Sequence, residues 1–420
     1  MARVVPFIAF HYNDLRYGQD VLRFVAPPYD VIDRRMENRL KDDRLNITHI
    51  TLGDEHDSYA TAAKRLQRWL NDEVLVRGRE PCLYIYEQTF KSPDGTPRIR
   101  SGVVALVRLE EFSKGIIMPH ERTMLKHKAD RMELMKAIGG DTEQIFMLYD
   151  DPTGEIEELV QTHRKQEEFL RFADPEGVHH RIVKITDPEA MKRMAELFAP
   201  VKILIADGHH RYETSLEYRD WRRKENGTTD RERPYDYVMA TLVSFRNPGL
   251  VIYPTHRLVV VEDKALLGRL PSELEKHFHI DNLGDPDDLA AAVEGSPDEA
   301  FGAWIPSQNR CMLARPREIP KGANRMNRLS VYILQEKVLR RILGYTLETL
   351  DKKVNIEFVK GTEPAKAMMA TGEHDICFFV KPPSVHEIMA IAQTGEKMPH
   401  KSTYFYPKIW SGTLLYLFDR

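Results

Sequence analysis

Residues Val201–Ser215 read Val-Lys-Ile-Leu-Ile-Ala-Asp-Gly-His-His-Arg-Tyr-Glu-Thr-Ser. An apolar run stops at Asp207-Gly208 and good helix formers follow, which predicts a buried strand turning into a helix. Gly208 admits a positive φ and the close approach of a ligand to the backbone. The first N–H groups of the helix, those of His209 and His210 among them, find no partner within it, and the helix dipole favours an anion beside them. Arg211 adds a guanidinium that can hold phosphate in a fork. Its place by a helix start puts it outside a core. Asp207 offers a carboxylate that could ligate Mg²⁺. A plain helix cap with surface histidines is the bland alternative. Five such residues in a row at a strand-to-helix junction favour a phosphate grip.

Three further stretches carry chemistry. In Met118-Pro-His-Glu-Arg-Thr123, Glu121 stands between His120 and Arg122, so it is expected to be ionised. It could take a proton from a hydroxyl or organise a metal, the alternative being a solvated charged loop. Pro254-Thr-His-Arg257 follows an apolar run, Leu250–Tyr253. His256 and Arg257 are expected at the C-terminal end of that strand, where open α/β sheets place ligands. Met398–Lys408 is dense in donors and aromatic rings. Gly395 to Ser402 nearly fits a P-loop, but His400 stands where the second glycine is required and Pro399 removes an N–H, so a P-loop is rejected. Lys401, Ser402 and Thr403 stay as candidates for a phosphate contact or a domain interface. A zinc site from His179, His180, His209 and His210 lacks the helical spacing with an intervening glutamate and is set aside.

These stretches need elements to hold them. The 420 residues suggest two or three domains. With 61 basic and 64 acidic residues the net charge is −3, which excludes a strongly basic nucleic-acid binder. Cys82, Cys311 and Cys377 are odd in number and far apart, so a reducing compartment is expected. No apolar stretch approaches the ~18 residues of a membrane span, and the N-terminus lacks a signal-peptide pattern. The expected location is the cytoplasm.

Three regions are expected: an N-terminal α/β region over 1–115, a site region over 116–260, and a C-terminal α/β region over 261–420. In the first, residues 58–70 predict a helix capped by Ser58. Cys82–Phe90 and Ile99–Leu109 predict a hairpin turning at Ser92-Pro-Asp-Gly95, and Ala26-Pro-Pro-Tyr-Asp30 is a rigid turn. In the second, helices are expected at Ala129–Ile138, over the charged stretch 154–172, from Pro188, and from the Asp-Gly turn to Lys224. Its strands are expected at Arg181–Ile185, Val201–Ala206, Tyr237–Phe245 and Leu250–Tyr253. In the third, helices are expected at 264–277, 286–294, 329–343 and 384–393, and strands at 301–305, 354–359, 375–380 and 413–418.

Ala26-Pro-Pro-Tyr-Asp30, Pro119-His-Glu-Arg-Thr123, Asp207-Gly-His-His-Arg211, Pro254-Thr-His-Arg257 and Met398–Lys408 together resemble the DUF1015 family of bacterial and archaeal proteins. More distantly, Asp207–Arg211 resembles the phosphate-binding box of the ParB/sulfiredoxin-like nucleotide-binding fold, which includes free-serine kinases, ParB-type CTPases and sulfiredoxins. The box has no cysteine, which disfavours sulfiredoxin chemistry. The resemblance implies a mixed α/β (α+β) protein of several domains with a central ParB/sulfiredoxin-like region. It also implies a phosphotransfer enzyme using ATP, ADP or another nucleotide with Mg²⁺ on a small hydroxyl compound, serine or phosphoserine leading, in the kinase or the reverse, phosphatase-like direction.

In that reading Asp207 holds the metal, and His209 and His210 work beside Gly208 at the reacting phosphate. Arg211 balances charge, His256, Arg257, Lys401, Ser402 and Thr403 contact the nucleotide, and Glu121 matches the kinases' base. The alternatives are a nucleotide-sensing binding protein or ParB-like transcriptional regulator, and a structural or assembly protein. Neither a membrane nor a nucleic acid is an expected partner.

Overall fold

The structure is a computed structural model that describes residues 1–53, 59–92, 95–123, 125–227, 231–319 and 324–418. Ser58 and the Pro93-Asp94 centre of the expected hairpin turn lie outside the described residues. The protein is mixed α/β and forms two compact units. The first comprises Met1–Pro119, Thr123–Val251 and Pro407–Arg420; the second comprises His120–Arg122 and Ile252–Tyr406.

The first unit is built on a nine-stranded sheet. Along it run Ile117–Met118, Ile203–Asp207, Ile145–Tyr149, Tyr237–Ser244, Pro97–Arg108, Leu83–Lys91, His179–Ile185 and Glu168–Ala173, with Val4–Val5 paired to Pro97–Arg108 off this path. Two pairings are parallel, Ile203–Asp207 with Ile117–Met118 and Tyr237–Ser244 with Ile145–Tyr149; the others are antiparallel. Alternate residues of the strands (Val103, Ala105 and Val107; Ile203 and Ile205) meet Ile156, Val160, Met194, Phe198 and Tyr212 from the helices in one buried core. This alternation is what a sheet with one face under helices requires. The expected hairpin is present as Leu83–Lys91 and Pro97–Arg108.

The second unit holds a six-stranded sheet in the order Phe278–Leu283, Arg310–Pro316, Phe301–Ile305, Ile376–Val380, Thr255–Val259 and Ile356–Lys360, all antiparallel. Helices Pro286–Gly295 and Thr362–Met369 supply Leu289, Val293, Ala365 and Met369 to its core.

Several expected elements are corrected. The stretch 154–172 is a helix only over Glu155–His163; Glu168–Ala173 is a strand paired with His179–Ile185. Arg164, Lys165, Glu167 and Glu168 hid the buried Phe169, Leu170 and Phe172. Residues 329–343 hold a short helix, Ser330–Ile333, running into wider π turns over Leu334–Arg340. Of 413–418 only Tyr416–Leu417 is strand, paired with Gly140–Asp141 in the first unit. Thr255–Val259 is itself a central strand of the second unit, so His256 and Arg257 lie within a strand and not at the end of one.

Candidate functional site

In the first unit, strand Ile203–Asp207 ends at Gly208, whose φ is 93°, and helix His209–Glu225 starts at the next residue. The helix start is fixed from both sides. Tyr212 is fully buried, its hydroxyl donates to Glu110 O and accepts from Glu110 N–H, each at 2.9 Å, and its ring stacks on Phe112. Thr214 and Ser215 hydroxyls donate back to the carbonyls of His210 and Arg211. His209 is buried and His210 half-buried.

Arg211 folds back over the turn. A Cβ on Gly208 would lie 3.0–3.2 Å from Arg211's NH2, Cζ and Nε, so the guanidinium occupies the space a side chain would need. Its NH1 donates to Gln144 O at 2.7 Å. Its Nε and NH2 stand 3.5 Å from Glu143 Oε2 and from Asp207 Oδ2, ion-pair distances, and Nε is buried without a hydrogen-bond partner. Burial acts to lower the guanidinium's pKa, but the charges of Glu143 and Asp207, with Tyr29 and Asp30, more than offset it and raise the value. The expectation that Arg211 stands outside a core is therefore corrected: its side chain is only 12 % exposed because two carboxylates and a carbonyl draw it inward.

The surroundings were only partly visible in the sequence. Lys408 Nζ donates to Asp207 Oδ1 at 3.3 Å. Ser411 Oγ donates to Glu143 Oε1 at 2.8 Å. Asp141, buried, accepts from Met239 N–H at 3.0 Å, and burial pushes its carboxyl up to about 7 against the pull of that bond and of Arg211. Arg131, its guanidinium 4.3 Å from the centre of the Tyr29 ring, joins Asp141, Glu143, Arg211 and Thr214 around a cavity of about 30 Å³. That is space on the scale of one water molecule.

These donors do not fit a metal site. The Asp207 carboxylate faces two cations, and among the described residues no group of three or more His, Cys, Asp or Glu side chains is placed to hold a metal ion. Mg²⁺ prefers several oxygen ligands in octahedral array, which Asp207 flanked by Lys408 and Arg211 does not offer.

In the second unit, Glu121 belongs to the three-residue segment His120–Arg122. Glu121 bridges Met398 in parallel fashion, and Met398 N–H donates to His120 O at 2.8 Å. Its carboxylate accepts the Lys401 backbone N–H at 2.5 Å and stands 2.9 Å from His400 Nδ1. Lys401 adopts a left-handed φ of 58°, which aims that N–H. Thr403 Oγ1 pairs with His120 Nε2 at 2.9 Å, while Ser402, buried, donates to Pro399 O at 2.6 Å. Lys401, Ser402 and Thr403 thus surround Glu121 and its neighbours.

Arg257 donates to the Thr255 and Lys401 carbonyls. Burial pushes its guanidinium down to about 10, with Glu121 pulling the other way. His256 Nδ1 accepts the Val380 N–H at 3.2 Å, so Nε2 carries the proton and donates to Thr362 Oγ1 at 3.2 Å. Burial, helped by Arg257, drives its pKa down to about 3. Both ring nitrogens are engaged inside the sheet.

No curated protein matches the chain. Among solved structures, a free serine kinase in complex with AMP is 16% identical, covers 69% of this chain and 83% of its own, and has a TM-score of 0.35. A conserved hypothetical protein from Pyrococcus furiosus is 16% identical over 70% of this chain and 89% of its own, with a TM-score of 0.36. SbnI with C-terminal truncation from Staphylococcus aureus is 10% identical over 73% and 85%, with a TM-score of 0.35. The family described as "Protein of unknown function (DUF1015)" matches residues 4–380, nearly the whole length and four of the five motifs that suggested it, and the chain belongs to that family.

Proposed function

We propose that the Asp207–Arg211 turn binds nucleotide phosphate and that the protein is a nucleotide-dependent phosphotransfer enzyme acting on a small hydroxyl compound, with serine or phosphoserine the leading candidate. The observation that supports it most is Arg211 Nε, a buried donor without a hydrogen-bond partner beside a glycine turn that opens a helix. Leaving such a donor unmatched costs about 1–3 kcal/mol. A phosphate oxygen supplies the acceptor that Nε lacks, and the N–H groups of the helix start add further donors.

In this reading Gly208 and the backbone of His209 and His210 cradle the phosphate, and Arg211 balances the charge spread over the transferring group. ATP, ADP or another nucleotide provides the phosphate. Asp207 orients the cations beside it, and Mg²⁺, where it takes part, arrives on the nucleotide's own phosphates. Glu121 is the base on the substrate hydroxyl, a role carried over from the resemblance, its carboxylate accepting the Lys401 backbone N–H.

Calorimetric titration with AMP, ADP and ATP, with and without Mg²⁺, paired with ³¹P NMR of the protein incubated with nucleotide and either serine or phosphoserine, tests this. Binding together with the appearance of phosphoserine from serine, or its loss, supports the proposal. Binding without turnover of serine or phosphoserine leaves a nucleotide-sensing protein. Silence with every nucleotide overturns the phosphate grip.

A further inference from the structure

The first unit places several buried polar side chains around one short segment near the C-terminus. Gln88 and Arg100, each 1% exposed, face it from the neighbouring strands Leu83–Lys91 and Pro97–Arg108. Gln88 Nε2 donates to Lys408 O at 2.7 Å, and Arg100 donates both to Gln88 Oε1 and to Pro407 O. Arg100 also lies over the Phe146 ring, 4.6 Å from its centre.

Behind them Tyr86 pairs with His180 Nδ1 at 2.8 Å, and His180 Nε2 meets Asp174 Oδ2 at 3.2 Å. Phe172 stacks on the His180 ring at 4.2 Å and Trp410 meets its edge. One residue further, Ser411 and Ala26 exchange backbone hydrogen bonds of 2.7 and 3.2 Å. The segment Pro407–Ser411 is thereby held at both carbonyls, at an aromatic ring and along its backbone.

Stability is a poor explanation for this arrangement. Apolar side chains of similar volume often serve a core as well as or better than buried ionic and polar groups, whose desolvation is costly. What the network does achieve is position. It fixes the backbone of Lys408 so that the ammonium, on a side chain 11% exposed, reaches the Asp207 carboxylate that Arg211 also faces. A flexible lysine becomes a fixed point charge at the Gly208 turn.

We propose that Lys408 is a phosphate-binding residue of the Asp207–Arg211 site, positioned by the buried Gln88–Arg100 pair, and that its ammonium passes from Asp207 to a phosphate oxygen when a nucleoside diphosphate or triphosphate binds. This rests on the phosphate grip proposed for that turn. It adds Lys408 to the residues expected from the sequence to contact phosphate.

The test is titration of ADP and of inorganic pyrophosphate into the full-length wild type, Lys408→Met and Lys408→Arg, with melting temperatures for each. Lys408→Met is expected to weaken both ligands by about 10- to 100-fold, the scale of one charge-assisted hydrogen bond, and Lys408→Arg to recover part of the loss. Gln88→Leu is expected to weaken ADP as well, and to add little on top of Lys408→Met, which a purely structural Gln88 would not do.

Should Lys408→Met fail to fold, acylation of the wild type followed by mass spectrometry replaces it. ADP is expected to slow modification of Lys408 and to leave the exposed Lys114 unaffected. Wild-type affinity in a folded Lys408→Met, or equal acylation of Lys408 with and without ADP, overturns the role of Lys408 alone while the grip stands. A wild type that binds neither ADP nor pyrophosphate overturns both.

Discussion

Arg211 Nε and Glu143 Oε2 stand 3.5 Å apart, with the Glu143 side chain only 6 % exposed. Removing the guanidinium leaves Glu143 and Asp207 facing each other without their shared cation. Arg211→Ala is therefore expected to weaken phosphate binding by about 2–4 kcal/mol and also to destabilise the first unit by about 3–5 kcal/mol, the cost of breaking a buried pair. Urea denaturation beside an ADP titration separates the two. Arg211→Lys keeps the charge but loses the planar donors, and is expected to recover more stability than affinity. Arg211→Ala with wild-type stability would show that the pair is not held in solution.

Gly208→Ala should be harmful at two levels. At φ 93° a side chain is strained, and its Cβ would sit 3.0 Å from Arg211 NH2. A left-handed backbone costs an alanine about 1–2 kcal/mol, and Arg211 must shift as well. A lower melting temperature together with weaker ADP binding is expected. An unchanged melting temperature would contradict this geometry.

Glu121→Gln tests the proposed base. The amide is nearly the same shape and keeps an oxygen for the Lys401 N–H. Turnover is expected to fall by about 10²–10⁴-fold, the usual contribution of a positioned acid or base, with the affinity for ADP unchanged. Full turnover in a folded Glu121→Gln removes Glu121 from the chemistry.

Two buried groups give opposite pH dependences. His256 has a folded pKa of about 3 against an ordinary 6.5. As the pH falls the unfolded chain takes up the proton first, so the stability from neutral His256 is complete above pH about 6.5 and is lost toward pH 3 at about 1.4 kcal/mol per unit. Asp141 is pushed up to about 7 from an ordinary 3.8. Here the unfolded chain releases its proton first, so stability falls as the pH rises from about 4 to about 7. Equilibrium unfolding from pH 4 to 8 should show His256→Asn flattening the acid side and Asp141→Asn raising stability near neutrality, its advantage fading toward pH 4. An Asp141→Asn variant no more stable at pH 8 than at pH 4, relative to wild type, would contradict the burial of that charge.

The sequence was informative where local pattern decides. The apolar run before Asp207 and the glycine after it predict the strand, the turn and the helix, and all three are present as Ile203–Asp207, Gly208 and His209–Glu225. The family resemblance, carried by motifs spread along the chain, is borne out. What could not be read were partners brought together by the sheet. Glu143 and Gln144 sit in a stretch with no unusual pattern, and only the pairing of Ile145–Tyr149 with Ile203–Asp207 sets them under Arg211. Lys408 closes a motif that drew attention for Lys401, Ser402 and Thr403. Which lysine meets Asp207 depends on Gln88 and Arg100, more than 300 positions earlier. Edge strands such as Phe278–Leu283 escaped notice because His279, Asp281 and Asn282 interrupt any apolar run.

The membership of Pro407–Arg420 in the first unit has a consequence for biosynthesis. Leu414 and Leu415 in that segment are fully buried, and Leu415 bridges Phe10 near the other end of the chain. A nascent chain that has released residues 1–251 still lacks this piece of its first core. Everything from 252 to 406 must be translated before it, and at the usual 5–20 residues per second that is a wait of roughly 8–30 s. The second unit needs only its own stretch and the triplet around Glu121, which has already been made. On the ribosome the unit that begins second is therefore able to close first, and the Asp207–Arg211 turn acquires Lys408 only after residues 252–406 have been made.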